Sequence, residues 1–497
     1  MKKSNFALAI ASGLLMAMAL PKPGWWVASW FGLTPLFIAA RKATPKKAAF
    51  IGFLCGFVYF ATICRWLVIF GYLPWVLVSA KEALWLALFL AATCPFLREP
   101  LRSRRYLAVP AAWTATQWFR VFGPLGFTWG SFAHTQANVL PLIQLSALTG
   151  PWGIDFVVCA VNVALADLVL FLQHEKCKRM EYVPLVAVAA MVLVVCVYGR
   201  FLLDENAIHS NRLVKVAVVQ ASLTHDVNPE PEYVVEAYEK YAAMTRTAAA
   251  DKPDLVLWPE TTIVDCITAD TWEPLLGSLA RELNINLVVG GYDLSSDPQG
   301  RNYNAAHFFD RSGRRIGVYR KVHLVPYGEY VPFRKQMPWL KRYGIREIDV
   351  LPGKTHNVIT TDVGKVGTVI CFESLFPAVT SQEVRRGANL LIILTNDAWF
   401  KRTQAAQQHL MMAQLRAVET HRFVVRAAAT GISAIIDPKG HICSQMGLFE
   451  RGIVRGTVAN LDATTPYVKY GDWFAYACLG ALIVSVAFRR RIRIRKR

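Results

Sequence analysis

Apolar runs follow one another closely along the first two-fifths of the chain. They fall at 6–20, 25–40, 49–69, 73–96, 106–121, 152–172 and 182–203, and another lies near the carboxyl end at 469–488. A helix needs roughly 20 apolar residues to cross about 30 Å of hydrocarbon, so the pattern predicts an α-helical transmembrane bundle of about eight spans. The first run, behind Lys2 and Lys3 and ending in Ala17-Met18-Ala19, also has the outline of a cleavable leader. The second run follows almost at once, which favours a retained hairpin.

Between these regions the periodicity changes. "LVKVAVVQASL", "DLVLWPE", "NINLVVGGYDL", "KVGTVICFES" and "NLLIILTNDAWF" are short strand-like runs. "PEYVVEAYEKYAAMTRTAAAD" and "QQHLMMAQLRAVETHRF" have helical spacing. "NAAHFFDRSGRRIGVYRKVHLV" reads as a hairpin about Arg311-Ser312-Gly313. Alternation of this kind predicts an α/β domain, a buried sheet covered by helices. The expected division is a seven-helix region at 1–204, an α/β domain at 205–467, and a final span with a basic tail at 468–497.

Composition agrees with a lipid-facing half. Of the 497 residues 54% are hydrophobic and 18% charged, against about 25% charged in soluble proteins. The net charge of +20 carries no zinc-finger or RNA-binding signature, so nucleic acid is not an expected partner. It reads instead as topology. Arg41, Lys42, Lys46 and Lys47 follow the second run, Arg98, Arg102, Arg104 and Arg105 the fourth, and Lys176, Lys178 and Arg179 the sixth. The tail is RRRIRIRKR, while the intervening loops carry little beyond Lys22 and Arg120 at their edges. By the positive-inside rule both termini are cytoplasmic and the α/β domain is outside.

Two features of the apolar half bear on lipid. The long uncharged loop "VFGPLGFTWGSFAHTQANVLPLIQLSALTGPWG" suits the outer interface, with Trp129 and Trp152 as belt anchors or as part of a lipid-entry surface. Arg65, Lys81, Glu82, Asp155 and Asp167 interrupt the spans; such charges pair with each other or face a cavity or headgroups. The ten cysteines are scattered, with no ligand spacing for zinc, and fit free thiols.

Three strand endings bring chemistry: Trp258-Pro259-Glu260, then Tyr319-Arg320-Lys321 running into "HLVPYGE", and Cys371-Phe372-Glu373. A thiol can attack a carbonyl carbon to form a thioester, but it needs a base, because free cysteine is mostly protonated at neutrality. A carboxylate can take that proton. A fixed ammonium can stabilise the oxyanion of the tetrahedral intermediate.

On "LWPE", "YRKVHLVPYGEYVPF" and "ICFE" the domain resembles the nitrilase (carbon–nitrogen hydrolase) superfamily, whose Glu–Lys–Cys set lies on an αββα sandwich. With the flanking spans, "TNDAWF" and "GISAIIDPKG", the whole chain resembles the apolipoprotein N-acyltransferase family of the bacterial cytoplasmic membrane. The resemblance implies Glu260 as general base, Lys321 as oxyanion stabiliser and Cys371 as the acylated nucleophile. It implies supporting roles for Glu329 and Glu373, and Asn396 and Trp399 lining the site. It further implies a ping-pong transfer from a phospholipid, typically phosphatidylethanolamine, through the cysteine thioester to the N-terminal amine of a diacylglyceryl-cysteine apolipoprotein. No cofactor or metal is expected; there is no P-loop and no G-x-G-x-x-G. Ala429, where the family pattern has Asn, and Lys401-Arg402, where it has a Gly/acidic stretch, depart from it. A membrane-anchored amidase acting on small amides and a transporter with an outer regulatory domain are the competing readings. Seven spans exceed what the first needs, and the repeats the second predicts are not visible.

Overall fold

The computed structural model describes residues 3–98, 104–173, 182–204, 212–223, 231–334, 336 and 349–494. Arg102, the basic cluster Lys176–Arg179 and the last three tail residues lie outside these.

The amino-terminal region is helical: α1 (Lys3–Met18), α2 (Pro45–Ile63), α3 (Tyr72–Leu97), α4 (Arg105–Phe119), α5 (Pro151–Leu172) and α6 (Tyr182–Asp204). Among the described residues four helices, α2, α3, α5 and α6, have the length and apolarity to cross a membrane, and α1 is shorter. Helix α2 packs on α3 through two glycines one turn apart. A Cβ on Gly52 would lie 2.5 Å from the Leu86 carbonyl oxygen and one on Gly56 2.8 Å from Ala83 Cα. Small residues at this spacing let apolar helices approach closely.

The expected second span is not one helix. It breaks into short pieces within Trp26–Ala40. Asn162 of α5 compensates the break: its Oδ1 accepts from the Leu33 and Thr34 N–H groups at 2.7 and 3.1 Å, and its Nδ2 donates to the Ser29 carbonyl at 2.8 Å. The expected fifth span is α4, 15 residues long. The aromatic loop does not present its two tryptophans as belt anchors either. It folds into short helices, and Trp129 and Trp152 are buried. Trp129 stacks with Phe127 at 5.2 Å, and Trp152 Nε1 donates to Asp472 at 2.8 Å, so packing and a buried acceptor replace the lipid interface. Most intramembrane charges pair. Glu82 bridges Lys81 and Arg120, and Asp167 meets Arg105 and Tyr106. Asp155 accepts from Ser131 Oγ and Phe132 N, each at 2.8 Å. Arg65 is exposed.

Among the described residues the α/β region contributes thirteen strands. One sheet has the order β13-β1-β2-β4-β5-β6 with β3 on β4; the other runs β12-β11-β10-β9-β8-β7. Their ranges are β1 Leu213–Gln220, β2 Leu255–Leu257, β3 Ile263–Cys266, β4 Asn286–Asp293, β5 Tyr303–Phe309, β6 Arg315–Arg320 and β7 Ile359–Thr361. The rest are β8 Gly364–Ile370, β9 Leu390–Thr395, β10 Val424–Ala428, β11 Ser433–Ile436, β12 Ile442–Met446 and β13 Gly452–Ala459. Both faces of each sheet are covered, which explains the continuous apolar runs. Alternate residues point opposite ways. Val216, Leu257, Leu390, Ile392 and Leu394 enter the core between the sheets. Ala217, Val219 and Val256 face α7 (Pro231–Ala249) and α8 (Trp272–Leu283), whereas Leu391 and Ile393 face α9 (Pro377–Arg385) and α10 (Ala405–Thr420). The result is four layers, helix–sheet–sheet–helix.

Helix α10 also joins the two halves. Leu410, Ala413 and Ala417 meet the sheet, while Met411, Met412, Leu415 and Val418 share one core with the amino-terminal helices. The last helix, α11 (Trp473–Ile494), follows an aspartate clasp, Asp472, that accepts from Trp118 at 3.0 Å and Trp152 at 2.8 Å.

Candidate active site

The carboxyl ends of the parallel strands β2, β8 and β9 converge where the two sheets meet, joined by the end of β6 and the start of β5. Strand ends of this kind are the usual place for α/β chemistry. Glu260 lies three residues beyond β2, Lys321 directly beyond β6, Cys371 directly beyond β8 and Asn396 directly beyond β9.

Lys321 is enclosed, and its Nζ lies 3.1 Å from Glu260 Oε1 and 3.0 Å from Glu329 Oε1. The same two oxygens accept from Asn304 Nδ2, at 2.8 and 2.7 Å. An ammonium and an amide thus hold two carboxylates side by side. Burial would lower the Lys321 pKa, but Glu260 and then Glu329 outweigh it and raise it well above the usual value; the side chain stays a cation. The second oxygen of Glu260 accepts from the Asn396 N–H at 2.8 Å, and that of Glu329 from the Val325 N–H at 2.8 Å. Every oxygen of the pair has a donor, as buried carboxylates require.

Cys371 is half-buried and starts a short 3-10 helix, Cys371–Leu375, with φ +52°. That left-handed conformation turns the chain sharply at the strand end. Burial pushes the thiol pKa up, the Glu260 charge pushes it further, and Lys321 pulls it back. The resting group is a thiol that needs a base.

Glu373 buckles the sheets together. Its Oε1 accepts from Val322 N and His323 N at 2.6 and 3.0 Å, and its Oε2 from Ile370 N at 2.6 Å and Tyr319 OH at 3.0 Å. The segments carrying Lys321 and Cys371 are therefore fixed to one carboxyl. Burial lifts its pKa to about 7, and the backbone donors oppose the rise.

Asn396 contributes its backbone N–H to Glu260, while its side chain caps the following turn through Ala398 N at 3.1 Å. Trp399 is 43% exposed on the short helix Asp397–Phe400, at the rim. The adjoining Lys401 has φ +47° and ψ −149°, a conformation suited to glycine, so lysine there is strained. Ala429 keeps the sheet ladder, its N–H bonding the Thr395 carbonyl at 3.0 Å. Asn304 was not among the residues anticipated. It sits in an ordinary-looking strand, "NYNAAHFF", and an asparagine at a strand start was the one available signal. Elsewhere, Asp437, His441 and Cys443 bring ligand atoms within 4.8 Å of one another on an exposed hairpin, but Asp437 Oδ1 already accepts two N–H groups of its own turn.

Sequence comparison places this geometry. The carbon-nitrogen hydrolase family matches residues 215–465, and the apolipoprotein N-acyltransferase N-terminal domain matches 12–164. An apolipoprotein N-acyltransferase of Geobacter metallireducens is 33% identical over 98% of this chain and 96% of its own length. The chain belongs to the apolipoprotein N-acyltransferase family. Another apolipoprotein N-acyltransferase, of Gloeobacter violaceus, is 29% identical over 95% of this chain and 93% of its own. Among solved structures, Saccharomyces cerevisiae Nit3, of the nitrilase superfamily, aligns with 50% of this chain and 91% of its own at 23% identity and a TM-score of 0.40. The residues joining α10 to the helices lie partly in each of the two matched segments, so the family's two parts meet in one hydrophobic core.

Proposed function

We propose that the protein acylates the N-terminal amine of diacylated apolipoproteins by a ping-pong route through Cys371. The Cys371 sulfur attacks the ester carbonyl of a phospholipid, phosphatidylethanolamine being the donor of choice, and Glu260 takes the thiol proton. The oxyanion forms beside Lys321 Nζ, a cation held in place before the reaction. The lysophospholipid leaves as its alcohol with the proton from Glu260, and a thioester remains. The apolipoprotein amine then attacks the thioester, Glu260 accepts an amine proton, and the thiol returns as the amide forms. Glu329 and Asn304 keep Lys321 and Glu260 in register, and Glu373 does the same for the strand ends.

The observation that carries this reading is the buried Glu260–Lys321–Glu329 cluster, coupled to a protonated strand-end thiol. It is carried by a domain whose helix α10 shares a core with apolar helices. An amidase for small soluble amides has no use for that junction; a lipid ester has, because the helices supply proximity and orientation. The loop charges support a domain on the outer face with both termini in the cytoplasm.

The test is intact and peptide mass spectrometry of the full chain incubated with phosphatidylethanolamine. A fatty acyl adduct on Cys371 is expected, absent in Cys371→Ala and reduced on the order of a hundredfold or more in Glu260→Gln. Lipoprotein acylation proceeding without any adduct on Cys371 overturns the route.

A further inference from the structure

Beneath the nucleophile lies a second set of buried polar groups that the acyl-transfer scheme leaves unused. Asp397 and Arg426 are both fully enclosed, with Arg426 Nη2 2.7 Å from Asp397 Oδ2. The other carboxylate oxygen, Oδ1, accepts from Thr395 Oγ1 at 3.0 Å and lies 3.0 Å from His409 Nδ1. Arg426 Nη2 also approaches His409 Nδ1, at 3.2 Å. On its far side His409 Nε2 is 3.2 Å from the Cys371 carbonyl oxygen and 2.8 Å from Ser374 Oγ, which itself donates to that carbonyl at 2.8 Å. A carbonyl oxygen only accepts, so the Nε2 contact places the hydrogen of the neutral ring on that nitrogen, and Nδ1 accepts from Arg426 Nη2.

A chain of contacts therefore leads from Asp397 to the nucleophile's backbone. It runs through Arg426 and His409 to the Cys371 carbonyl, where Ser374 also donates. We propose that Asp397, His409 and Arg426 form a brace that positions Cys371 for acyl transfer by fixing its backbone carbonyl. Cys371 has φ +52°, a conformation that costs a non-glycine residue about 1–3 kcal/mol and persists only where the surroundings over-determine it. Two donors on its carbonyl do so. Stability alone does not explain a fully buried ion pair, since apolar residues of similar volume serve as well or better. Gly431 makes room for it: a Cβ there would lie 2.3 Å from Asp397 Oδ2.

The brace also reaches the apolar helices. His409 is on α10, where Gln408 donates to the Ile63 carbonyl at 3.3 Å and Met411 and Met412 enter the shared core. Asp397 opens the short helix whose Phe400 packs edge-on to Trp66 at 4.8 Å. The nucleophile is thus referenced to two of the places where the α/β region grips the bundle.

The proposal rests on Cys371 being the nucleophile, and two readouts separate the ideas. The full chain in nanodiscs is compared with His409→Leu, His409→Gln and Ser374→Ala. One readout is the kcat and KM of acyl-enzyme formation from phosphatidylethanolamine; the other is the rate of Cys371 alkylation by iodoacetamide, read at the peptide. In His409→Leu both kcat and the alkylation rate are expected to fall on the order of tenfold or more. KM is expected to stay within about twofold, as no member of the brace is proposed to touch lipid. His409→Gln, with an amide N–H in place of Nε2–H, recovers most of the loss, and Ser374→Ala falls between. Wild-type rates in His409→Leu, a loss confined to KM, or a folded His409→Gln as slow as His409→Leu overturns the brace. If both His409 variants fail to elute as monodisperse protein, Ser374→Ala decides, and an unchanged alkylation rate rejects it. A wild-type protein that alkylates normally yet never carries an acyl group on Cys371 rejects the acyl-transfer reading instead.

Discussion

His307 stands in β5 with its ring enclosed, Nε2 3.2 Å from the Tyr292 carbonyl oxygen and Nδ1 without a partner among the described residues. Burial pushes its pKa down from 6.5 to about 4. The unfolded chain therefore binds a proton here that the folded chain refuses. The stabilisation is complete above pH 6.5 and is lost as pH falls through 4, an upper bound of about 3 kcal/mol for a shift of this size. Unfolding of wild type and His307→Asn at pH 7.5 and pH 4 isolates this group, since other titrating residues are common to both. The wild-type advantage should shrink by that order at the lower pH; a constant difference would mean the ring titrates in the fold as it does in the unfolded chain. The same scale shows what a sequence can reveal of a site. Glu260, Lys321 and Cys371 were visible because each ends an apolar run, where a polar group must have a reason. Asn304 and His409 were not, since one sits inside a strand pattern and the other on a regular helix. Their importance lies in partners 44 and 38 residues away, contacts that no local pattern encodes.

Strand β4 crosses behind the turn that delivers Glu260. A Cβ on Gly290 would lie 2.1 Å from the Pro259 carbonyl oxygen and 2.7 Å from Glu260 Cα. The nearest atoms are all backbone, so no side chain can swing aside. Gly290→Ala should push the Glu260 turn outward, costing about 1–3 kcal/mol of stability as overpacking does, and should slow acyl-enzyme formation more than it weakens phospholipid binding. Thermal unfolding alongside kcat and KM checks this; unchanged kcat with unchanged stability would show that β4 yields. Elements were legible where burial is uniform. β1, β8 and β9 read as apolar runs because both sheet faces are covered, and α2, α3, α5 and α6 because lipid and neighbours are both apolar. The stretch Trp26–Ala40 misled because its composition is that of a span, while the break at Leu33 is satisfied by Asn162, 129 residues on. The loop with Trp129 and Trp152 misled for the converse reason: the Asp472 acceptor of Trp152 and the Trp66 ring against Trp129 come from elsewhere in the chain.

At the scale of the molecule the open quantity is the side of the membrane on which the site works. Helix α10 shares a core with the amino-terminal helices, so the site travels with the bundle's orientation and cannot be assigned to one side independently of it. The loop charges argue for the outer side, because basic residues resist translocation. A lipid-ester donor and an amine anchored in the same leaflet make that location chemically sufficient, with no soluble activating group required. Cys443 offers a direct reading. It is exposed on β12, whereas Cys55, Cys64, Cys94, Cys159 and Cys478 are buried. Burial and the nearby Asp437 raise the pKa of its thiol, which slows maleimide addition without preventing it at pH 8. With Cys177, Cys196 and Cys266 replaced by serine, a membrane-impermeant maleimide added to intact spheroplasts should label Cys443 as fully as it does after detergent permeabilisation. A Cys443→Ser control should lose that signal, leaving any modification of Cys371 as the background to subtract. Labelling that appears only after permeabilisation would put the α/β domain in the cytoplasm. The acceptor would then have to be acylated before export, and the positive-inside reading of the basic residues after the second, fourth and sixth runs would fail with it.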